Sequence, residues 1–301
     1  MASNNVTMRP YQGEDDYTRM RRFLQALPDV TESGGDCTIG DLEWRRFTAK
    51  APDQMSKLQL WFDGNDLAGF VWPESGSAEI LVDPTNRDIE RMMIEWAVAN
   101  GKDSDTMTIL ANDQDLERQR LLTSLGFERT DEFYTYRKRS LGGDIEAPVL
   151  PPGYAFRDMR DAPPEIVEQR VEVHRAAWAP SKMTVEKHLA VMASETYRPD
   201  LDLVIVSPDG IFATCTVVWH DPDNRIGVFE PVGCSPDFRQ LGLTKALMFE
   251  GMHRLQALGA VNAFVASWHG SLPANRLYER SGFQLVDHQH NWIKTYRAAA
   301  T

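Results

Sequence analysis

The feature that most constrains this fold is an internal repeat. The middle segment EILVDPTNRDIERMMIEWA (79–97) is matched by FEPVGCSPDFRQLGLTKALM (229–248). The closing segment LLTSLGFERTDEFYTYRKR (121–139) is matched by LYERSGFQLVDHQHNWIKT (277–295). The openings agree as well. VTMRPYQGEDD (6–16) and YAFRDMRDAPP (154–164) each give an extended piece followed by an acidic helix start. Three matches in one order, about 150 residues apart, indicate duplication. Between the copies lies SLGGDIEAPVLPPG (140–153), with three glycines, three prolines and no periodicity. It reads as a linker, giving halves at 1–140 and 153–301 around a connection at 141–152.

Each half reads as mixed α/β. In the second, residues 202–207, 211–219 and 226–234 read as consecutive strands separated by the turn pieces PDG and DPDN. Residues 241–258 read as a helix stopped by Gly259, 260–267 as a strand, 273–281 as a short helix, and Phe283 opens the last strand. Net charge is −12, which argues against nucleic-acid or anionic-membrane partners. The charge is uneven: residues 1–150 hold 17 Lys+Arg against 27 Asp+Glu, and residues 151–301 hold 15 against 17. An anionic ligand is therefore repelled less by the second half. No apolar run reaches the roughly 18 residues that span a bilayer, and the N-terminus has no secretory pattern. Cys37, Cys215 and Cys234 are widely spaced and lack a C-x-x-C, so neither a disulfide framework nor a metal site is expected. These readings lead to the expectation of a cytoplasmic protein.

The stretch SPDFRQLGLTKAL (235–247) carries the chemistry. Amides at a helix start lack intrahelical acceptors and, with the helix dipole, favour anions. A glycine lets a diphosphate approach the backbone. Arg239, Gln240, Leu241, Gly242, Leu243 and Thr244 therefore suit a pyrophosphate. The nucleoside-triphosphate loop G-x-x-x-x-G-K-[ST] and the dinucleotide motif G-x-G-x-x-G are both missing.

This hexapeptide resembles the acyl-CoA pyrophosphate loop of the GNAT superfamily of N-acetyltransferases, R/Q-x-x-G-x-G/A, with Thr244 where Gly or Ala is usual. LYERSGF (277–283) resembles that family's closing L-Y-x-x-x-G-F signature, and the intervening elements come in family order. The likeness covers about 150 residues well and residues 1–140 in outline, as in the tandem arrangement of the mycothiol synthases. It implies two GNAT-like domains, each a mixed, mostly antiparallel sheet flanked by helices. The cofactor implied is acetyl-CoA, without metal. The reaction implied is direct acetyl transfer to a primary amine of a small molecule or peptide, with a cationic acceptor suggested by the acidic first half. A non-catalytic acyl-CoA-binding regulator on the same fold is the alternative.

The resemblance assigns roles. Tyr278 protonates the leaving thiolate; a phenol of pKa about 10 is a reasonable donor to a thiolate of about 8.5. Glu230, in the strand before the loop, takes the ammonium proton, and burial would raise its pKa toward neutrality. His220, Asp221 and His269 compete for that role. Pro231 cannot donate to a ladder and marks a bulge. There Val232, Gly233 and Cys234 offer backbone groups to the pantetheine arm, one amide facing the oxyanion. Cys234 itself reads as a small buried hydrophobe. Asn275 touches the cofactor from the short helix, while Ser271 reads equally as an N-cap. Trp178 falls where an acceptor wall is expected.

The first half departs from this pattern. Aligning Pro84 with Pro236 sets Arg87 on Arg239, Asp88 on Gln240 and Glu90 on Gly242. The closing motifs set Leu122 on Tyr278. A carboxylate where a diphosphate should rest costs Coulomb energy. The first half is therefore expected not to bind acyl-CoA, and to complete the acceptor site, stabilise the fold or mediate association such as a homodimer.

Overall fold

The computed structural model describes residues 6–27, 37–48 and 54–296. The first half contributes β1 (Val6–Pro10), α1 (Glu14–Ala26), α2 (Ile39–Thr48), β2 (Gln59–Asp63), β3 (Asp66–Glu74), β4 (Ser77–Val82), α3 (Arg87–Asn100), β5 (Thr106–Asn112), α4 (Leu116–Ser124) and β6 (Glu128–Ser140). The second repeats the scheme. It comprises β7 (Ala155–Asp158), α5 (Pro164–Ala177), α6 (Val185–Met192), β8 (Asp202–Val206), β9 (Phe212–Asp221), β10 (Ile226–Cys234), α7 (Leu243–Ala257), β11 (Asn262–Trp268), α8 (Leu272–Arg280) and β12 (Gln284–Thr295).

All twelve strands join one sheet, in the order β1-β2-β3-β4-β5-β12-β6-β11-β10-β9-β8-β7. Within each half a four-strand antiparallel meander is followed by a crossover helix and one parallel strand. The parallel pairings are β4 with β5 and β10 with β11. The last strand of each half crosses over. β6 pairs with β11, β12 pairs with β5, and the two pair with each other in the middle. Each half thus covers an edge that the other would leave unpaired.

Strand neighbours go to opposite faces, as a two-residue period requires. In the second half Val218 and Phe229 pack with Met248, Met252 and Leu255 of α7. Val217, Trp219 and Val228 pack on the other face with Val191 of α6. Trp44 and Phe47 of α2 join that second cluster, although α2 belongs to the first half, and Leu42 of the same helix is buried in the first half's own core. Polar contacts reinforce the junction: Gln25 Nε2 donates to Asp221 Oδ1 at 3.0 Å, and Asn224 Nδ2 donates to the Gln25 carbonyl at 3.0 Å.

The helix expected from Leu241 opens at Leu243, because Gln240 and Gly242 both adopt positive φ, 65° and 77°. Among the described residues no helix is long and apolar enough to cross a membrane, and no cluster of His, Cys, Asp and Glu is arranged to hold a metal ion.

Candidate active site

The site is organised by the way β10 leaves its neighbour. β10 runs along β9, but it stays beside β11 only where Ile226–Val228 face Asn262–Phe264. Its register on β9 shifts between Phe229 and Val232. Pro231, inside that shift, has no N–H to give a ladder. A slot therefore opens between β10 and β11. The Trp219 indole donates to the Glu230 carbonyl at 2.8 Å and holds the bend. Past it, Val232, Gly233 and Cys234 lie opposite Thr216, Cys215 and Thr214. The Thr214 hydroxyl donates to the Gly233 carbonyl at 2.6 Å.

The slot leads to the start of α7. Pro236–Phe238 form one tight turn, and Arg239, Gln240, Leu241 and Gly242 are exposed. Leu243 is buried beside Ala246 and Leu247, so the helix is anchored while its first amides stay open. No acidic residue occupies the first turn of α7. A Cβ built on Gly242 would meet nothing within 4 Å. Glycine is required here by its left-handed φ, and the space in front of it is open. Thr244 Oγ1 lies 3.3 Å from Thr214 Oγ1. Burial pushes the Cys234 thiol up, with Thr244 and Arg239 opposing, so Cys234 keeps its proton and is a poor nucleophile.

Two titratable groups belong to the elements that bound the slot: Glu230 lies on β10, and Tyr278 packs in the cluster that holds Phe229 and Val232. Glu230 is half-buried, and its carboxyl is pushed up to about 8. Burial is the main cause and the negative Asp41 the next, while Arg45 works the other way. Tyr278, on α8, is 5% exposed. Burial and the charge of Glu230 hold its phenol above the ordinary tyrosine value, against the pull of Arg137. Once pH rises to about 8, the arrangement therefore pairs a carboxylate able to take a proton with a phenol that still has one to give.

Trp178 covers the other side of β10. A Cβ on Gly233 would fall 2.3 Å from its ring, so only glycine lets the indole lie there. Trp178 stacks on His174 at 4.5 Å, and His174 reaches Trp44 of α2 at 5.7 Å. Burial, with Arg170 and His188, pushes His174 down to about 3, so this wall is aromatic and neutral.

The remaining candidates lie elsewhere or are engaged. Asn275 accepts from Ser267 Oγ at 2.8 Å and donates to the carbonyls of Trp268 and His269. Ser271 stands at the N-cap of α8 without a side-chain cap bond. Asp221 accepts from Gln25 and Asn224 in a turn. His269 stacks on Phe133 and pairs with Glu132. His220 is half-buried and pushed down by that burial. Sequence reasoning missed Asp41, Arg45 and Arg137. All three come from the first half; Asp41 and Arg45 lie near no motif, and Arg137 falls in the closing repeat segment, whose pattern gives it no role.

In the first half the corresponding helix start is filled from within. Glu90 is fully buried. Arg87 Nη1 reaches it at 2.6 Å and Arg118 Nε at 2.5 Å. Arg87 also donates to both oxygens of Asp115 at 3.0 Å. Leu122 is fully buried in the apolar core. A cleft of about 820 Å³ remains beside this cluster, lined in part by Pro84, Arg87, Arg118 and Leu285.

Comparison with known proteins gives a family likeness and a shared fold. The profile of the acetyltransferase (GNAT) family matches residues 164–283. Mycothiol acetyltransferase of Actinosynnema mirum is 30% identical over 166 residues, a match spanning 54% of this chain and 55% of that relative. Mycothiol acetyltransferase of Pseudarthrobacter chlorophenolicus is 26% identical over 92% of both chains. Among solved structures, a GCN5-related N-acetyltransferase from Sphaerobacter thermophilus superposes with TM-score 0.67 at 18% identity, covering 98% of this chain and 97% of that one. A tandem GNAT protein from the clavulanic acid biosynthesis pathway gives 0.65 at 17% identity, covering 97% and 98%. Both structures share the two-part fold.

Proposed function

We propose that this chain, which belongs to the acetyltransferase (GNAT) family and carries two such units in tandem, uses its second half to move an acetyl group from acetyl-CoA to a primary amine. The observation that carries the reading is the slot opened where β10 leaves β11, which carries Glu230 on its strand, has Tyr278 buried in the same cluster as Phe229, and ends on the open amides of α7.

In this reading Arg239 to Thr244 receive the cofactor's pyrophosphate at the helix start. The unladdered edge of Val232, Gly233 and Cys234 holds the pantetheine arm and turns an amide toward the developing oxyanion. Glu230 accepts one proton of the incoming ammonium, the neutral amine attacks the thioester carbonyl, Tyr278 protonates the departing thiolate, and the second proton lost by the nitrogen as the amide forms restores the phenol from the tyrosinate. Cys234, kept as a thiol, takes no part in covalent transfer. Asn275 supports the end of β11 behind the cofactor. The units are taken as 1–140 and 153–301, the first completing the acceptor side. The names of the relatives place mycothiol-type acceptors first among amines to test.

The test is acetyl transfer to a panel of primary amines by wild type, Glu230→Gln and Tyr278→Phe. Transfer that falls in both variants while acetyl-CoA still binds supports the reading. Wild-type binding without transfer to any amine would favour a regulator that senses acyl-CoA.

A further inference from the structure

Helix α8 carries Tyr278 but has little of its own to hold it still. It runs nine residues, its N-cap Ser271 makes no side-chain cap bond, and Tyr278 is its one buried side chain. Helices this short are marginal without tertiary ties. The polar ties of α8 lead to one residue of the other half. Asn275, one turn before Tyr278, accepts from Ser267 Oγ of β11 at 2.8 Å. Ser267 Oγ in turn accepts from Arg137 Nη1 at 3.1 Å. Glu279, the residue after Tyr278, accepts from Arg137 Nη2 at 3.3 Å.

Arg137 lies on the first-half strand β6, between β11 and β12, with Val265 and Leu285 opposite it in the two ladders. Its side chain is 7% exposed, whereas that of Glu279 is 61% exposed. Burying a guanidinium against so solvated a carboxylate costs stability. What the planar fork provides is geometry: two donors in fixed directions tie β11 and α8 together, at points before and after the phenol.

The first half serves as an internal control. In register with the closing segments, Leu122 stands for Tyr278, Gln119 for Asn275, Thr123 for Glu279 and Ile293 for Arg137. The ladders agree, since Ile293 faces Thr108 of β5 as Arg137 faces Val265 of β11. Gln119 donates to the carbonyls of Asn112 and Asp113, just as Asn275 donates to those of Trp268 and His269. Fastening the short helix to the end of its strand is thus common to both halves. The half without the tyrosine has an isoleucine in place of the arginine, so the unit folds without the fork.

We propose that Arg137 is the positioning residue of Tyr278: reaching across from the first half, it fixes α8 through Ser267 and Glu279 so that the phenol meets the departing thiolate. The inference rests on the acetyltransferase reading and extends it into the half that holds no cofactor loop. The charges acting on Tyr278 are Glu230 of β10, which opposes its ionisation, and Arg137, which favours it. The same cation therefore eases release of the phenolic proton.

The experiment is a double-mutant cycle. It measures kcat, KM and melting temperature for wild type, Arg137→Gln, Tyr278→Phe and the double variant, with Arg137→Lys and Ser267→Ala as milder changes. Arg137→Gln should lower kcat on the order of tenfold, with KM for acetyl-CoA and for the amine little changed. In the Tyr278→Phe background the same change should cost less than about twofold. Arg137→Lys keeps the charge but reaches one partner at a time, so it should recover part of the loss. Ser267→Ala keeps the arginine and cuts the link to Asn275, and should cost kcat about threefold. A merely structural arginine would lower kcat equally in both backgrounds. That result, or an unchanged kcat in Arg137→Gln, would overturn the proposal while the acetyltransferase reading stands. If Arg137→Gln does not fold, the cycle of Ser267→Ala with Tyr278→Phe gives the same decision. A wild type that acetylates no amine, or a Tyr278→Phe variant as active as wild type, overturns the reading on which the proposal rests.

Discussion

The two halves share an architecture and differ at the head of one helix. In the second half, α7 begins after a left-handed glycine, its first turn carries no acid, and the ground in front of it is open. In the first, α3 begins with Arg87 and buries Glu90 against Arg87 and Arg118. The carboxylate occupies from inside the seat that an external diphosphate would need. The difference teaches that two copies of one helix start can be finished in opposite ways: one is left open, and the other is filled by its own carboxylate and the arginines that pair with it. The freed half then lends α2 and β6 to its neighbour.

Sharpening the contrast begins with the base. Glu230→Gln should lower kcat/KM by about 10²- to 10⁴-fold, as for loss of general base catalysis, with acetyl-CoA affinity retained. Steady-state kinetics beside a binding titration checks it. Tyr278→Phe should cost kcat on the order of 10²-fold with KM little changed, because proton delivery is needed only as the thiolate leaves. Removing the plug from the first half tests the other side. Glu90→Gln removes the nearest charge from the buried Arg118, leaving it Asp115 at 3.8 Å while Arg87 keeps Asp115 at 3.0 Å, and should cost about 3 kcal/mol in denaturant unfolding. It should not create a second acetyl-CoA site.

The smallest effect concerns pH and stability. The Glu230 carboxyl is raised to about 8, so the folded chain retains a proton that the unfolded chain has already released. Stability from that group is present below the ordinary glutamate pKa and is lost as pH rises through about 8. Glu230→Gln should therefore melt higher than wild type at pH 9, by about 2–4 °C for each kcal/mol relieved, and no higher at pH 4. Paired thermal scans at the two pH values decide it. The same site would then be a place where activity is kept at the expense of stability.

Much of this was legible in the residues. The duplication and the order of elements follow from local pattern. So does the contrast at the two helix starts, since Glu90 and Leu122 stand in register with Gly242 and Tyr278. The crossing of β6 and β12 was not legible. Either strand offers the same alternation to either neighbour, and only the assembled sheet decides which edge it meets. The helix start was misplaced by two residues because Gln240, not a glycine, takes a positive φ. Asp41 and Arg45 were invisible for a related reason. They sit almost 190 residues from Glu230 in the chain, and nothing in their local sequence marks them as neighbours of a base.

The central claim is that one half holds the cofactor site and the other has lost it. Calorimetric titration of acetyl-CoA into wild type and Gly242→Glu tests it most directly. Gly242→Glu places on α7 the carboxylate that α3 already carries, at a φ that side chains rarely adopt. The account predicts one equivalent bound by wild type and none by the variant. Two equivalents in wild type, or unchanged binding in Gly242→Glu, would contradict it.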